Sequence, residues 1–136
     1  MKKRVLTLCT GNSARSQMAE GWLRRLAGDR FDVVSAGTRP VGLNPNAVEA
    51  MREVGIDIST HRSKSVDELA GQQFDYVVTV CDSAREACPV FPGLGKRLHE
   101  SFEDPAAPPR DQQLAVFRKV RDQIRAYLEE FVGNET

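Results

Sequence analysis

The sequence predicts an α/β fold, in which a four-stranded, mostly parallel sheet is flanked by helices in a single three-layer domain spanning residues 1–136. Two observations favour this class. Short runs of apolar and β-branched residues alternate along the chain with longer stretches whose apolar residues recur at helical spacing, and such alternation is typical of a parallel sheet covered on both faces. A length of 136 residues with 40% hydrophobic residues also suits one domain with a sizeable core.

The first strand and helix are predicted at the amino terminus. Residues 4–8 (RVLTL) form a short apolar run that indicates a buried strand. A turn containing Gly11 follows, and Gly28 is a plausible stop for the helix after it. The apolar positions that define this helix are Met18, Trp22, Leu23 and Leu26.

The second strand and helix follow at once. Residues 31–37 (FDVVSAG) predict a strand that ends at a glycine. For the next helix, Asn44 is a candidate cap, Pro45 suits the first helical position and Gly55 marks the end. A loop with a short helix is expected over residues 57–69.

The second half supplies the remaining strands and a long helix. Residues 74–81 (FDYVVTVC) are the clearest strand, and residues 95–102 indicate a fourth, short one. After a proline-rich connection, an apolar stripe predicts a carboxy-terminal helix. The stripe consists of Phe117, Val120, Ile124, Leu128 and Phe131.

Charge and hydropathy exclude several classes of function. Nineteen basic residues balance nineteen acidic ones, without the basic excess of a nucleic-acid-binding protein. No apolar run is long enough to cross a bilayer. The basic amino terminus precedes an apolar stretch of only about five residues, too short for a signal peptide, so a cytoplasmic protein is expected. Three cysteines, an odd number, argue against a structural disulfide framework.

The loop between the first strand and helix has the composition of an anion site. Backbone N–H groups of a turn can curl around an oxyanion, and a helix amino terminus adds partial positive charge. Gly11 permits close backbone approach and Asn12 tolerates a positive φ. Arg15 can hold two oxygens of a tetrahedral oxyanion in its fork.

Cys9 lies at the floor of this loop. The field that attracts an anion also favours a thiolate, so the pKa of Cys9 is expected to be depressed and the thiol to be nucleophilic. A hydrogen bond to the sulfur is expected from Ser16 or Ser13. The alternative is a buried cysteine followed by an ordinary helix cap.

The string CTGNSARS resembles the phosphate-binding loop of low-molecular-weight protein tyrosine phosphatases and of the arsenate reductases that share their fold. The resemblance continues through QMAEGW, SAGT, GLNPNAVEAMREVGIDIS, VVTVC and DP, and thus covers nearly the whole chain. It implies that Cys9 is the nucleophile and that the loop binds the substrate oxyanion. The implied substrate-binding residues are Thr10, Gly11, Asn12, Ser13, Ala14, Arg15 and Ser16. Ala14 departs from the pattern, since many relatives have cysteine there, but a small residue leaves the loop geometry intact.

Cys81 and Cys88 are open to two interpretations. They can be two core cysteines, whereas a zinc site would need more ligands at short spacing. They can also form a redox pair. If residues 82–88 are helical, the two Cα atoms lie about 10 Å apart, while a disulfide needs about 4.4–6.8 Å. The segment would therefore have to unwind, and proline-flanked short helices melt at little cost.

This cysteine pair separates the two families. Thioredoxin-coupled arsenate reductases resemble this chain in having a Cys-x6-Cys pair after the VVT strand, and the phosphatases need only the first cysteine. The resemblance implies attack of Cys9 on arsenate, then a Cys9–Cys81 disulfide, then a Cys81–Cys88 disulfide that thioredoxin reduces. No bound redox cofactor, metal, membrane or nucleic acid is expected, and a monomer is the default. A phosphatase, a non-catalytic oxyanion binder, and glutaredoxin or a small thiol as reductant remain open.

Two further expectations follow from the family likeness. Asp104, held extended by Pro105, is implied to be the acid that protonates the leaving oxygen, although an ordinary Asp-Pro turn is the alternative. Some relatives bind potassium through four residues, three of which match Asn12, Glu20 and Ser35. Lys64 stands at the fourth position. Its ammonium is expected to replace the cation, unless it is simply a solvated surface lysine.

Overall fold

The computed structural model describes residues 2–82 and 95–135. Within these ranges the chain forms four strands, three α-helices and one short 3-10 helix, Val66–Leu69. In chain order the larger elements are β1 (Lys3–Cys9), α1 (Arg15–Ala27), β2 (Phe31–Gly37), α2 (Pro45–Glu53), β3 (Tyr76–Thr79), β4 (Lys96–His99) and α3 (Arg110–Asn134). The α/β class predicted from the sequence is confirmed.

The four strands form one sheet in the order β2-β1-β3-β4, and every pairing is parallel. Parallel strands place all their carboxyl ends at one edge of the sheet, where loops of such folds carry function. Cys9 therefore ends β1 at the same edge at which β3 ends with Thr79 and β4 with His99. The sheet thus brings the segments after β1, β3 and β4 together.

The helices pack as their apolar patterns predict. Helix α1 contacts β1, β2 and α3, and α2 contacts α1 and α3. Met18, Trp22 and Leu23 of α1 are buried. The stripe on α3 is also buried, at Phe117, Val120, Ile124, Leu128 and Phe131. None of the helices in the described part of the chain is both long enough and apolar enough to cross a membrane.

The predicted helix boundaries hold at α2 and differ at α1. The side chain of Asn44 accepts a hydrogen bond from the Asn46 N–H at 2.8 Å, with Pro45 in the first turn, and Gly55 has a φ of +80° after the helix. Gly28, by contrast, has a φ of −63° and stays right-handed, so α1 ends without a left-handed glycine. Strands β3 and β4 are shorter than the predicted ranges 74–81 and 95–102, because their regular pairing covers only Tyr76–Thr79 and Lys96–His99.

Candidate active site

The sulfur of Cys9 lies at the floor of the β1–α1 loop, where the residue is only 2% exposed. Its Sγ is 2.9 Å from the Ser16 Oγ. The Asn12 Nδ2 donates to the same Ser16 oxygen at 2.8 Å, so the serine hydroxyl accepts from Asn12 and can direct its own proton to the sulfur. Of the two serines considered from the sequence, the structure places Ser16 against Cys9.

The pKa of Cys9 differs from the sequence prediction. Burial raises the pKa of this thiol above its ordinary value, although hydrogen bonds from Ser16, the charge of Arg15 and a backbone hydrogen bond from Asn12 act in the opposite direction. Removal of the thiolate from water outweighs these donors. The predicted depression is therefore corrected: the loop makes ionisation of a buried thiol less costly without making it favourable.

Asn12 adopts the left-handed conformation expected for it, with a φ of +46°. Its side-chain oxygen accepts hydrogen bonds from the Gln17 Nε2 and the Lys64 backbone N–H, each at 3.0 Å. The Gln17 Oε1 lies 3.0 Å from the His61 Nδ1. Because an amide oxygen only accepts, the His61 ring must carry its proton on Nδ1. Gln17 and His61, to which the sequence assigned no role, thus support the loop.

The residues that resemble a potassium site are joined to one another. The Ser35 Oγ donates to the Glu20 Oε1 at 2.6 Å, the Arg24 Nε donates to the Glu20 Oε2 at 2.9 Å, and Glu20 is only 4% exposed. Among the described residues, Lys64 forms no salt bridge within 4.0 Å. Arg24, one turn along α1, thus places a positive charge directly against Glu20. Burial lowers the pKa of Lys64, while the nearby charge of Glu20 acts in the opposite direction, so Lys64 also lies within electrostatic range of this carboxylate.

Cys9, Arg15 and Asp104 share one cleft of about 600 Å³. The loop residues Thr10, Gly11, Ser13 and Ala14 also line it. Asp104 is held in an Asx turn, in which its Oδ1 accepts from the Ala106 N–H at 3.0 Å. Asn12 and Ser16 do not line the cleft, because their side chains are buried beneath the loop.

The guanidinium of Arg15 is oriented by a backbone carbonyl. Its Nη1 donates to the Phe102 oxygen at 3.0 Å, and the Phe102 N–H donates to the Val80 oxygen at 3.2 Å. The Phe102 ring packs edge-on against Tyr127, with ring centroids 6.0 Å apart. Sequence patterns carry no signal for Phe102, because it acts through its main chain.

Cys81 lies at the same edge of the sheet as Cys9. It is 5% exposed, and its Sγ is 3.3 Å from the hydroxyl of Thr10, the residue next to Cys9. The sequence inference that the two cysteines lie near each other is consistent with this contact. Cys88 and the helix predicted before it lie outside the described residues. Within residues 2–82 and 95–135, no three His, Cys, Asp or Glu side chains are grouped to hold a metal.

Residues 4–135 match the model of the low molecular weight phosphotyrosine protein phosphatase family. The chain belongs to this family. Among its relatives, an arsenate reductase of Halalkalibacterium halodurans is 48% identical over 132 residues, which are 96% of this chain and 95% of that protein.

Two solved structures of arsenate reductases are similar to this chain over nearly its whole length. One, described as an arsenate reductase in the phosphate binding state, is 32% identical with a TM-score of 0.81, covering 98% of this chain and 99% of the other. A second, described as an arsenate reductase in oxidized state, is 31% identical with the same TM-score and coverage. The fold of this chain is therefore similar, over nearly its whole length, to that of solved arsenate reductases.

Proposed function

We propose that this chain is an arsenate reductase that works through a relay of three cysteines. The observation that carries the proposal is the position of Cys81, whose sulfur contacts Thr10 in the loop that holds Cys9. Phosphoester hydrolysis through a thiol needs only Cys9, whereas reduction needs a second thiol within reach. The identity to curated arsenate reductases over most of the chain supports the same conclusion.

In the first step the cleft binds arsenate, a tetrahedral dianion at neutral pH. The fork of Arg15 and the N–H groups of the loop pair with its oxygens. Because burial keeps Cys9 protonated, the proton must leave as the sulfur attacks, and the bound dianion is the base nearest to it. A sulfur–arsenic bond forms, an arsenic–oxygen bond breaks, and Asp104 protonates the departing oxygen so that it leaves as water. Arsenic remains As(V).

In the second step the Cys81 thiolate attacks the sulfur of Cys9. A disulfide forms, the sulfur–arsenic bond breaks, and its electron pair stays on arsenic. Arsenic is thereby reduced to As(III) and leaves as arsenite, while two thiols are oxidised. The position of the Cys81 sulfur, 3.3 Å from the hydroxyl of the residue next to Cys9, supports this exchange, which requires the attacking thiol to be close and partly ionised.

In the third step Cys88 attacks Cys81, which frees Cys9 and leaves a Cys81–Cys88 disulfide. An external dithiol protein of the thioredoxin type then reduces this disulfide, so the enzyme needs no bound redox cofactor. The role of Cys88 rests on the resemblance to the arsenate reductases. We further propose that the chain works as a single-domain monomer in the cytoplasm.

A second candidate function is phosphatase activity. The family to which the chain belongs, and the presence of Asp104 in the cleft with Cys9 and Arg15, favour it. Phosphate and arsenate have the same shape and charge, so slow hydrolysis of phosphomonoesters is expected even in a reductase. The ratio of the two rates distinguishes the functions.

The test couples arsenate reduction to NADPH oxidation through thioredoxin and its reductase, with glutathione and glutaredoxin as the alternative reductants. We expect the wild-type chain to turn over repeatedly with thioredoxin. Cys88→Ser should keep phosphatase turnover and lose multi-turnover arsenate reduction, whereas Cys9→Ser should lose both. If Cys88→Ser retains both activities the relay is wrong, and a chain that binds phosphate without either activity is a non-catalytic binder.

A further inference from the structure

The main chain around Cys81 is fixed up to Val80. The Val80 N–H donates to the Leu8 oxygen at 2.9 Å, and its carbonyl accepts from the Phe102 N–H at 3.2 Å. Beyond Val80, the side chains of Cys81 and Asp82 each form a hydrogen bond to another part of the fold.

The first side-chain contact holds the Cys81 sulfur to Thr10, and the second holds Asp82 to His99. The His99 Nε2 is 2.9 Å from the Asp82 Oδ1, while its Nδ1 is 2.7 Å from the Thr79 Oγ1. A neutral ring satisfies both contacts when Nε2–H donates to the carboxylate and Nδ1 accepts from the threonine hydroxyl. The imidazole therefore bridges the end of β3 to the residue directly after Cys81.

The bridge is anchored in the sheet. Thr79 is the last residue of β3 and is 3% exposed, and His99 is the last residue of β4. The side chain of His99 is 21% exposed, whereas that of Asp82 is 73% exposed. The fixed partners are thus Thr79 and His99, and Asp82 is the group that they hold in place.

We propose that His99, acting through Asp82, is a positioning residue for the attack of Cys81 on Cys9. The inference rests on the proposed function, since it concerns the step in which the Cys9–Cys81 disulfide forms. In that step the sulfur–arsenic bond breaks and its electron pair stays on arsenic. Thr10 contacts the Cys81 sulfur directly, and His99 holds the next residue, Asp82, so two contacts restrict the position of the thiol. Holding reacting atoms near their contact geometry is a large part of catalysis, and small displacements are costly.

The bridge lies apart from the oxyanion cleft. Neither Asp82 nor His99 is among the residues that line the cleft of Cys9, Arg15 and Asp104. His99 and Thr79 instead line a separate depression of about 490 Å³. A change in the bridge should therefore affect the Cys81 step and leave the reaction at Cys9 unchanged.

The experiment measures both steps in matched variants. Cys88→Ser protein, in which the relay stops at the Cys9–Cys81 disulfide, is mixed with arsenate, quenched with acid and alkylator, and followed by mass spectrometry. Asp82→Ala removes the acceptor for His99 at an exposed position, and Asp82→Asn keeps a side-chain oxygen there. Hydrolysis of p-nitrophenyl phosphate by the same proteins reports the reaction at Cys9.

We expect Asp82→Ala to slow formation of the Cys9–Cys81 disulfide about tenfold, less than the 100-fold effect of a full 1 Å misplacement. Asp82→Asn should restore the rate, His99→Ala should match Asp82→Ala, and phosphatase turnover should be unchanged in the Asp82 variants. Disulfide formation at the parental rate in Asp82→Ala would overturn the inference, as would equal losses of both activities. If the parental protein forms no arsenate-dependent disulfide, the proposed function fails as well.

Discussion

The hydrogen bond from Ser16 to Cys9 predicts a measurable change in the reactivity of the thiol. Ser16→Ala removes a hydroxyl whose oxygen is 2.9 Å from the Cys9 sulfur. Asn12, which donates to that hydroxyl, keeps a second acceptor in Ser35 at 3.1 Å, so the loop retains its internal support. The substitution therefore affects mainly the energy of the thiolate.

The size of the effect follows from the strength of the lost bond. Hydrogen bonds to charged groups contribute about 1.5–3 kcal/mol, and about 1.4 kcal/mol corresponds to one pKa unit. Loss of this hydrogen bond should therefore raise the pKa of Cys9 still further. The thiolate fraction below the pKa falls about 10–100-fold, but a more basic thiolate is a better nucleophile, which leaves a net loss of about 3- to 15-fold.

The assay is the pH dependence of Cys9 alkylation by iodoacetamide, resolved by peptide mass spectrometry. Because burial raises the pKa of Cys9, the wild-type rate should climb with pH and level off only above the ordinary cysteine value of about 8.5. In Ser16→Ala the profile should move to higher pH. Ser35→Ala, which removes a buried hydroxyl without touching the sulfur, should move it far less. A wild-type rate that is already level below pH 7, or identical profiles for Ser16→Ala and wild type, would refute the reasoning.

Three other substitutions or conditions test the remaining parts of the site. Asp104→Asn should lower the hydrolysis of phenyl phosphate by about 100-fold or more, and that of p-nitrophenyl phosphate by less, because nitrophenolate can leave without being protonated. Equal losses with the two substrates would argue that Asp104 is not the general acid. Arg15→Lys, which loses both the fork and the bond to the Phe102 carbonyl, should raise the inhibition constant of phosphate about tenfold or more, and an unchanged constant would contradict its role. Exchanging NaCl for KCl at constant ionic strength should leave the melting temperature and turnover of the wild type unchanged, since Arg24 already pairs with Glu20. Arg24→Ala should gain a dependence on potassium. A saturable potassium effect in the wild type would argue that Arg24 does not take the place of a cation beside Glu20.

The sequence predicted the fold well because each element has a local cause. Apolar spacing defined α1 and α3, and Asn44 with Pro45 defined the start of α2. The parallel sheet was predicted from the alternation of strands and helices, whereas the strand order β2-β1-β3-β4 depends on contacts between distant segments, which a single sequence does not reveal. The loop from Cys9 to Arg15 was recognisable because its chemistry is contiguous in the chain.

The parts of the site that the sequence missed act across the fold or through the main chain. Phe102 orients Arg15 with a carbonyl group, which every residue has, so no residue type marks the position. The pKa of Cys9 was predicted in the wrong direction, because the donors of the loop are visible in the sequence and the depth of burial is not. The sequence singled out Lys64 as the cation near Glu20, and it missed Arg24, one turn along α1, whose guanidinium pairs with that carboxylate.

The register between β1 and β3 explains how one fold can host both hydrolysis and reduction. Leu8 pairs with Thr79, so the residues that follow each strand emerge side by side at the carboxyl edge. Cys81, two residues beyond Thr79, accordingly lies beside Thr10, two residues beyond Leu8. A cysteine at this position requires no change in the oxyanion loop. The hydrogen bond from the Phe102 N–H to the Val80 oxygen fixes the end of β3, and the Phe102 carbonyl orients Arg15. Reduction thus requires an added sulfur and a way to hold it, and the His99–Asp82 bridge is placed to supply the second requirement.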